Sequence, residues 1–254
     1  PRRIVRYQND WHAAQAALGW THRFSKVWRL WTSLGYATRP PAINELYSQG
    51  QHQGVSSYER GDPNLMPETI GQGRLGVEAK FRSWCTLEVL GYAQWYDGYI
   101  YLAPQPNLFL TIRGAFPLFN YAQTDARLLG TDVTLRLQQG KNWRYRATYS
   151  YLRGDDLSNG LPLVFMPPNN LQQELTYQVM PNWTWGQSEI HKLAVHLHHQ
   201  YTWRQNHLLD VQDLIAPPEG YHLFGGSFHL EGQIGRTEWR LWCRVENALN
   251  ATYR

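Results

Sequence analysis

Residues 39–68 of this chain read RPPAINELYSQGQHQGVSSYERGDPNLMPE. Pro40, Pro41, Pro63 and Pro67, with Gly50, Gly54 and Gly61, punctuate the stretch. Proline fixes φ and removes a ladder donor, and glycine opens turn conformations, so these residues do not continue a regular strand. Alternation takes over on either side, with RLWTSLGYAT at 29–38 and GQGRLGVEAKF at 71–81. A long, stiffened connection between alternating strands is the kind of loop that carries function.

The same alternation recurs outward from that loop. Trp143, Tyr145, Ala147, Tyr149 and Tyr151 alternate with Arg144, Arg146, Thr148 and Ser150. Val133, Leu135 and Leu137 alternate with Asp132, Thr134, Arg136 and Gln138. Residues 171–179 and 237–246 repeat the pattern. A soluble β-sandwich also alternates, so other features have to decide between the architectures.

Composition favours a membrane barrel. The 254 residues include 12 Trp and 16 Tyr, while only 17% are charged. Mean hydropathy is −0.54 and no apolar run is long enough for a transmembrane helix. Lipid-facing and lumen-facing residues cancel in such averages when strands cross the bilayer. Aromatics gather near strand ends, at Trp28, Trp31 and Tyr36, at Trp84, Trp95 and Tyr96, and at Tyr201 and Trp203, as interfacial girdles require. Short turns near 25–26, 82–83, 140–141 and 235–236 alternate with long connections at 39–67, 103–117, 154–169 and 206–219. Short periplasmic turns and long extracellular loops have that asymmetry.

The expected fold is therefore all-β, an antiparallel transmembrane β-barrel, with about ten strands in this chain. The strands are expected at 11–24, 27–38, 69–81, 85–102, 118–138, 142–154, 170–180, 190–205, 221–234 and 237–250, with a bulge near Gly130. Arginines scattered through the strands argue against a nucleic-acid footprint, although the pI is near 9.1. Cys85 and Cys243 fall on apolar positions of distant strands and are expected as free thiols.

The loop also carries a resemblance. Arg39-Pro40-Pro41-Ala42-Ile43-Asn44-Glu45-Leu46, followed by Gly61-Asp62-Pro63-Asn64-Leu65-Met66-Pro67-Glu68, resembles the barrel signature of TonB-dependent outer-membrane receptors. Their pattern is Arg-x-Pro-x-x-x-Glu-Leu, then Gly-Asn/Asp-Pro-x-Leu-x-x-Glu opening the next strand. A second segment, Arg244-Val245-Glu246-Asn247-Ala248-Leu249-Asn250-Ala251-Thr252-Tyr253, is similar to the family's Asn-Leu-Phe-Asn/Asp-x-x-Tyr before its last strand.

The resemblance implies that residues 1–254 are the C-terminal portion of the receptor barrel. On that reading the fold is partial, about ten strands of a larger barrel, and the plug domain, signal peptide and last strand of such a receptor are expected outside residues 1–254. It implies a Gram-negative outer membrane, contact with outer-membrane lipid, and coupling to periplasmic TonB through the missing N-terminal region. It also implies a transported nutrient, most often a ferric siderophore, with zinc, haem or cobalamin as alternatives. A passive porin or adhesin barrel and a soluble glycan-binding β-protein remain as rivals.

Candidate ligand-binding residues are Tyr47, His52, Tyr58 and Arg60, because aromatic rings and arginine hold a planar, charged chelate by stacking and charge. His52 competes with a structural role, a hydrogen bond inside the folded loop. Tyr99, Tyr101, Phe109, Phe116 and Phe119 are expected to pack the loops. His196 and His198 share a strand face and read as polar lumen residues, with metal ligation as the alternative. Asp155 and Asp156 read as a solvated turn. No phosphate loop, nucleophile elbow or zinc-protease motif is present, so no catalytic residue, metal site or cofactor is assigned and the chain does not read as an enzyme.

Overall fold

The computed structural model describes residues 9–253 apart from 53, 55, 210–216 and 218. Its elements are β1 (Gln15–Arg23), β2 (Trp28–Arg39), α1 (Ile43–Tyr47), β3 (Gln49–His52), β4 (Ser57–Arg60), β5 (Glu68–Arg82) and β6 (Cys85–Thr111). There follow β7 (Gly114–Gln139), β8 (Trp143–Asp156), β9 (Leu161–Pro162), β10 (Asn170–Val179), β11 (Trp183–Trp185), β12 (Ser188–Thr202), β13 (Tyr221–Ile234) and β14 (Thr237–Val245). They form one 14-stranded sheet whose main path is β1-β2-β5-β6-β7-β8-β10-β12-β13-β14. Each strand on that path pairs antiparallel with the next, as a succession of hairpins requires.

The ladder aligns the alternating sets into rows. Thr86, Arg136, Arg146, Glu174 and His198 lie across from one another on successive strands. The neighbouring row, on the other face, is Leu87, Leu135, Ala147, Gln173 and His199. Trp143, Tyr145, Tyr149, Leu193, Val195 and Leu197 share the apolar face, and Arg144, His196 and Arg244 share the polar one. Slipping one strand by a residue would move its arginines to the apolar face, at about 2–4 kcal/mol each near a bilayer midplane. On the polar face several charges are paired: Arg136 with Glu88 at 2.9 Å, Arg29 with Glu78 at 3.2 Å, and Lys192 with Glu231 at 3.1 Å.

Several expectations are corrected. The connection expected at 103–117 is strand: β6 and β7 continue as a ribbon that turns only between Thr111 and Gly114. Prolines hid it, yet Pro104 and Pro117 sit beside the register shift between Pro104 and Leu108, where a missing donor breaks no regular pair. No bulge occurs at Gly130, which keeps register with both Tyr92 and Leu152. Gly130 is needed because a Cβ there would come within 2.2 Å of the Tyr92 ring. The irregularity lies at Tyr96/Tyr99 on the partner strand, around Gly98 at φ +68. Trp31 and Tyr96 leave the expected girdle for the polar face: Trp31 pairs opposite Gly76, and Tyr96 packs on Tyr99 at 4.9 Å. The first strand begins at Gln15 and the last ends at Val245. Most of the 206–219 connection lies outside the described residues. Cys85 and Cys243 are free thiols on the apolar face.

Candidate functional site

Arg39, the last residue of β2, fastens the base of the 39–68 loop. Its Nε donates to Glu68 Oε1 at 2.8 Å, and its Nη1 donates to Glu45 Oε2 at 2.9 Å. Glu45 also accepts from the Ala42 backbone N–H at 2.6 Å, tying the first turn of α1. The other oxygen of Glu68 accepts from the Ile100 N–H at 3.0 Å, which joins the loop base to β6. Charge-assisted bonds of this geometry are stronger than neutral ones. The Arg-x-Pro-x-x-x-Glu-Leu and Gly-Asp-Pro…Glu segments are thus parts of one clasp.

Gly61 lets the return limb cross α1 at backbone contact. A Cβ on it would lie 2.6 Å from the Tyr47 backbone nitrogen. The Gly61 N–H donates to Ser48 O at 2.7 Å, and the Asp62 N–H to Glu45 O at 2.9 Å. Asp62 Oδ1 accepts from the Asn64 N–H at 2.9 Å, the turn expected before Pro63 and its neighbours. Leu46 and Leu65 then pack on Ile100, with Trp11 and Tyr121 around them. A second cluster, of Ala126, Leu128 and Leu163 with Tyr96 and Tyr99, secures the 157–169 connection to the same ribbon.

Between those anchors β3 and β4 form a hairpin, and β4 adds in parallel to β7, Tyr58 opposite Leu118 and Arg60 opposite Asn120. Strand alternation puts Tyr58 and Arg60 on one face and Glu59 on the other. Tyr58 stacks on Phe109 of β6, ring centroids 3.9 Å apart, and the Arg60 guanidinium lies 5.9 Å from the same ring. Arg60 is exposed and makes no ion pair with any described residue. The cradle is two aromatic faces with an uncompensated cation. Around it, Ser48 Oγ, Ser57 Oγ and Asn120 Oδ1 are shielded from solvent and have no partner among the described residues.

The four sequence candidates therefore separate. Tyr58 and Arg60 come together. His52 turns to the opposite face, where Nδ1 meets Glu59 Oε1 at 2.8 Å, a contact that closes the hairpin. Tyr47, on α1, is not packed inward as Leu46 is: Leu46 is 4% exposed and Tyr47 41%, its hydroxyl accepting from Asn9 Nδ2 at 3.3 Å. Phe109 is the partner that sequence reading placed among packing residues. It falls beyond the Pro104/Leu108 register shift, where alternation no longer reports the face.

Tyr99, Tyr101 and Tyr121 lie on the ribbon beyond the strand ends of β5 and β8. Burial raises each phenol above its ordinary value. Asp156 is not a solvated turn residue. It is buried and accepts from Thr124 Oγ1 at 2.5 Å and from the Ser158 and Asn159 N–H groups at 3.0 Å. Asp155 ties Arg127, Arg153 and His207, each at 3.0 Å. His196 bonds Thr176 at 3.1 Å and His229 bonds Ser227 at 3.1 Å. Among the described residues no group of three or more His, Cys, Asp or Glu is placed to hold a metal ion.

Comparison with known proteins matches residues 3–247 to the family model described as TonB dependent receptor-like, beta-barrel. The chain belongs to the TonB-dependent receptor β-barrel family. No curated protein sequence matches it. Among solved structures it is similar to the copper transporter OprC, with a TM-score of 0.70 and 19% identity over 94% of this chain and 34% of that one. It is also similar to a variant of the ferric enterobactin receptor PfeA of Pseudomonas aeruginosa, with a TM-score of 0.64, 17% identity, and 92% and 34% coverage. The FrpB iron transporter of Neisseria meningitidis gives a TM-score of 0.58, 12% identity, and 94% and 35% coverage. At these identities the likeness is one of fold, and the chain spans about a third of each neighbour. In a TonB-dependent receptor barrel the polar face described above lines the lumen and the apolar face meets lipid.

Proposed function

We propose that this chain is the C-terminal portion of the barrel of a Gram-negative outer-membrane receptor that takes up an anionic metal chelate, with a ferric siderophore as the substrate class. Energy comes from periplasmic TonB acting through an N-terminal region. The observation that carries the reading is the Tyr58–Phe109 stack with Arg60 over the same ring. Stacking surfaces accept a planar aromatic chelator, and the unpaired guanidinium accepts its negative charge. Neighbours named for copper and for ferric enterobactin support metal uptake as the class.

The mechanism assigned to these residues is capture and positioning. The clasp at Arg39 and the packing of Leu46 and Leu65 hold the hairpin on the β6–β7 ribbon, so that the cradle is formed before the ligand arrives. Preorganisation of that kind lowers the ordering cost of binding. The hydrated, charged wall below gives the cargo a polar path once the lumen opens. Titrating the purified receptor with a ferric catecholate, followed by quenching of tryptophan fluorescence, tests the assignment. Tyr58→Ala and Arg60→Ala lower affinity, while His52→Ala stays close to the parent. Unchanged affinity in both of the first two variants removes the cradle as the site.

A further inference from the structure

The ribbon that carries Phe109 has one edge that the rest of the fold leaves open. β5 accompanies β6 only as far as Asp97, opposite Thr69, and the Glu68 carboxylate then takes the Ile100 N–H. Over residues 101–111 that edge of β6 has no strand partner among the described residues. The ribbon's other edge is occupied. β8 pairs with β7 as far as Ala126, and β4 adds in parallel at 118–120.

An open strand edge is a template for foreign strands, and proteins suppress it with charge, proline or a bulge. Here Pro104, Pro106 and the register shift between Pro104 and Leu108 suppress it at the root. Beyond them nothing does. Residues 107–112 read NLFLTI, and no charged residue occurs between Gly98 and Ile112. Leu108 and Leu110 share one face, opposite Pro117 and Ala115, while Phe109 turns to the other face to meet Tyr58. Leu110 is 77% exposed, and Ile112 at the turn is fully exposed. Arg113, the next residue, is exposed and makes no ion pair with any described residue.

Repeating backbone donors and acceptors along one line recognise another extended backbone, and a small chelate has no such ladder to offer. Alternate side chains of the added strand then meet the Leu108 and Leu110 row. β4 already shows this ribbon taking up a short strand from elsewhere in the chain. We propose that Asn107 to Thr111 of β6, with Ile112 and Arg113 at the turn, form a strand-addition site for an extracellular polypeptide. The occupant is an extended segment of another protein, apolar at alternate positions, with an acidic residue beside Arg113. The site rests on the outer-membrane barrel reading, which puts the ribbon outside the cell, and is independent of which chelate is carried.

The complete receptor in mild detergent is titrated with a fluorescein-labelled peptide of alternating valine and threonine that ends in one glutamate. Hydrogen exchange is followed alongside. In the receptor alone the amides of 107–112 that do not face β7 exchange freely, and the peptide slows them about tenfold. Methylating the peptide's backbone nitrogens abolishes binding with its side chains unchanged, because the ladder is lost. Leu108→Lys with Leu110→Lys lowers peptide affinity about tenfold, through two cross-strand pairs and a charged edge. Arg113→Gln lowers it about twofold, and has no effect on a peptide ending in glutamine. These variants resist limited proteolysis as the parent does, since neither leucine belongs to a buried cluster. Slow exchange of the same amides in the free receptor overturns the site, because the receptor's own chain then covers the edge. Equal binding of the methylated peptide, or undiminished binding to the lysine variant, overturns it too. So does receptor self-association that the lysines abolish in place of peptide binding. A protein that fractionates outside the outer membrane overturns the barrel reading itself, whereas correct fractionation without peptide binding overturns only this site.

Discussion

Arg39 holds two carboxylates that are both largely shielded while it remains partly exposed itself. Removing it leaves Glu45 and Glu68 short of their charged partner. Arg39→Ala should destabilise the loop by about 1.5–3 kcal/mol, the range for a hydrogen bond to a charged group. Limited proteolysis of the intact receptor should then cut within 40–67 faster than in the parent. Leu46→Ala acts differently, because it opens a void among Leu65 and Ile100. A loss of about 2–5 kcal/mol is expected there, with a lower outer-membrane level. Tyr58→Ala removes one stacking surface, so ligand affinity should fall about two- to twelvefold, the ~0.5–1.5 kcal/mol of one aromatic pair. His52→Ala removes an exposed contact to Glu59 and should change affinity by about twofold or less. Equal losses for His52 and Tyr58 would contradict the split between the hairpin's faces.

Gly61 decides whether the loop closes at all. Gly61→Ala forces its methyl into the backbone between Leu46 and Tyr47, where no side-chain rotation relieves it. The loop should lose its register against α1, and both ligand binding and resistance to proteolysis should fall together. The sequence made this element legible through its prolines, its Gly-Asp-Pro turn and the charges at its ends. It hid the elements whose backbone pairing overrides composition. Pro104 and Pro117 disguised the upper β6–β7 ribbon as a loop, although a bulge accommodates them. Gly130 looked like a kink and is a seat for the Tyr92 ring. Tyr58 and Arg60 could be chosen from residue chemistry, but their partner Phe109 is about 50 residues away, past a register shift that alternation cannot follow. Shortening the ribbon by deleting 105–116 should therefore abolish chelate binding and leave the lower strands intact, as judged by heat-modifiable migration of the folded barrel.

The whole sheet follows from one pattern repeated strand after strand, and its order was readable because each hairpin joins neighbours in sequence. Closure was not a property of any single strand. Among the described residues β1 and β14 each pair on one side only. An unpaired strand edge in hydrocarbon costs several kcal/mol for each exposed backbone group. Residues 1–254 expressed alone should therefore fail to insert into outer-membrane-like vesicles, while the receptor supplied with the remaining barrel strands inserts and resists protease. The central claim is that this barrel serves energised uptake of a chelate held on Tyr58, Arg60 and Phe109. Its most direct test is accumulation of iron-labelled ferric siderophore by cells carrying the complete receptor, with and without TonB. The account predicts accumulation that requires TonB and that falls in the Tyr58→Ala, Arg60→Ala double variant at unchanged receptor level. Accumulation of the same size without TonB, or in the double variant, would contradict it and point to a passive pore.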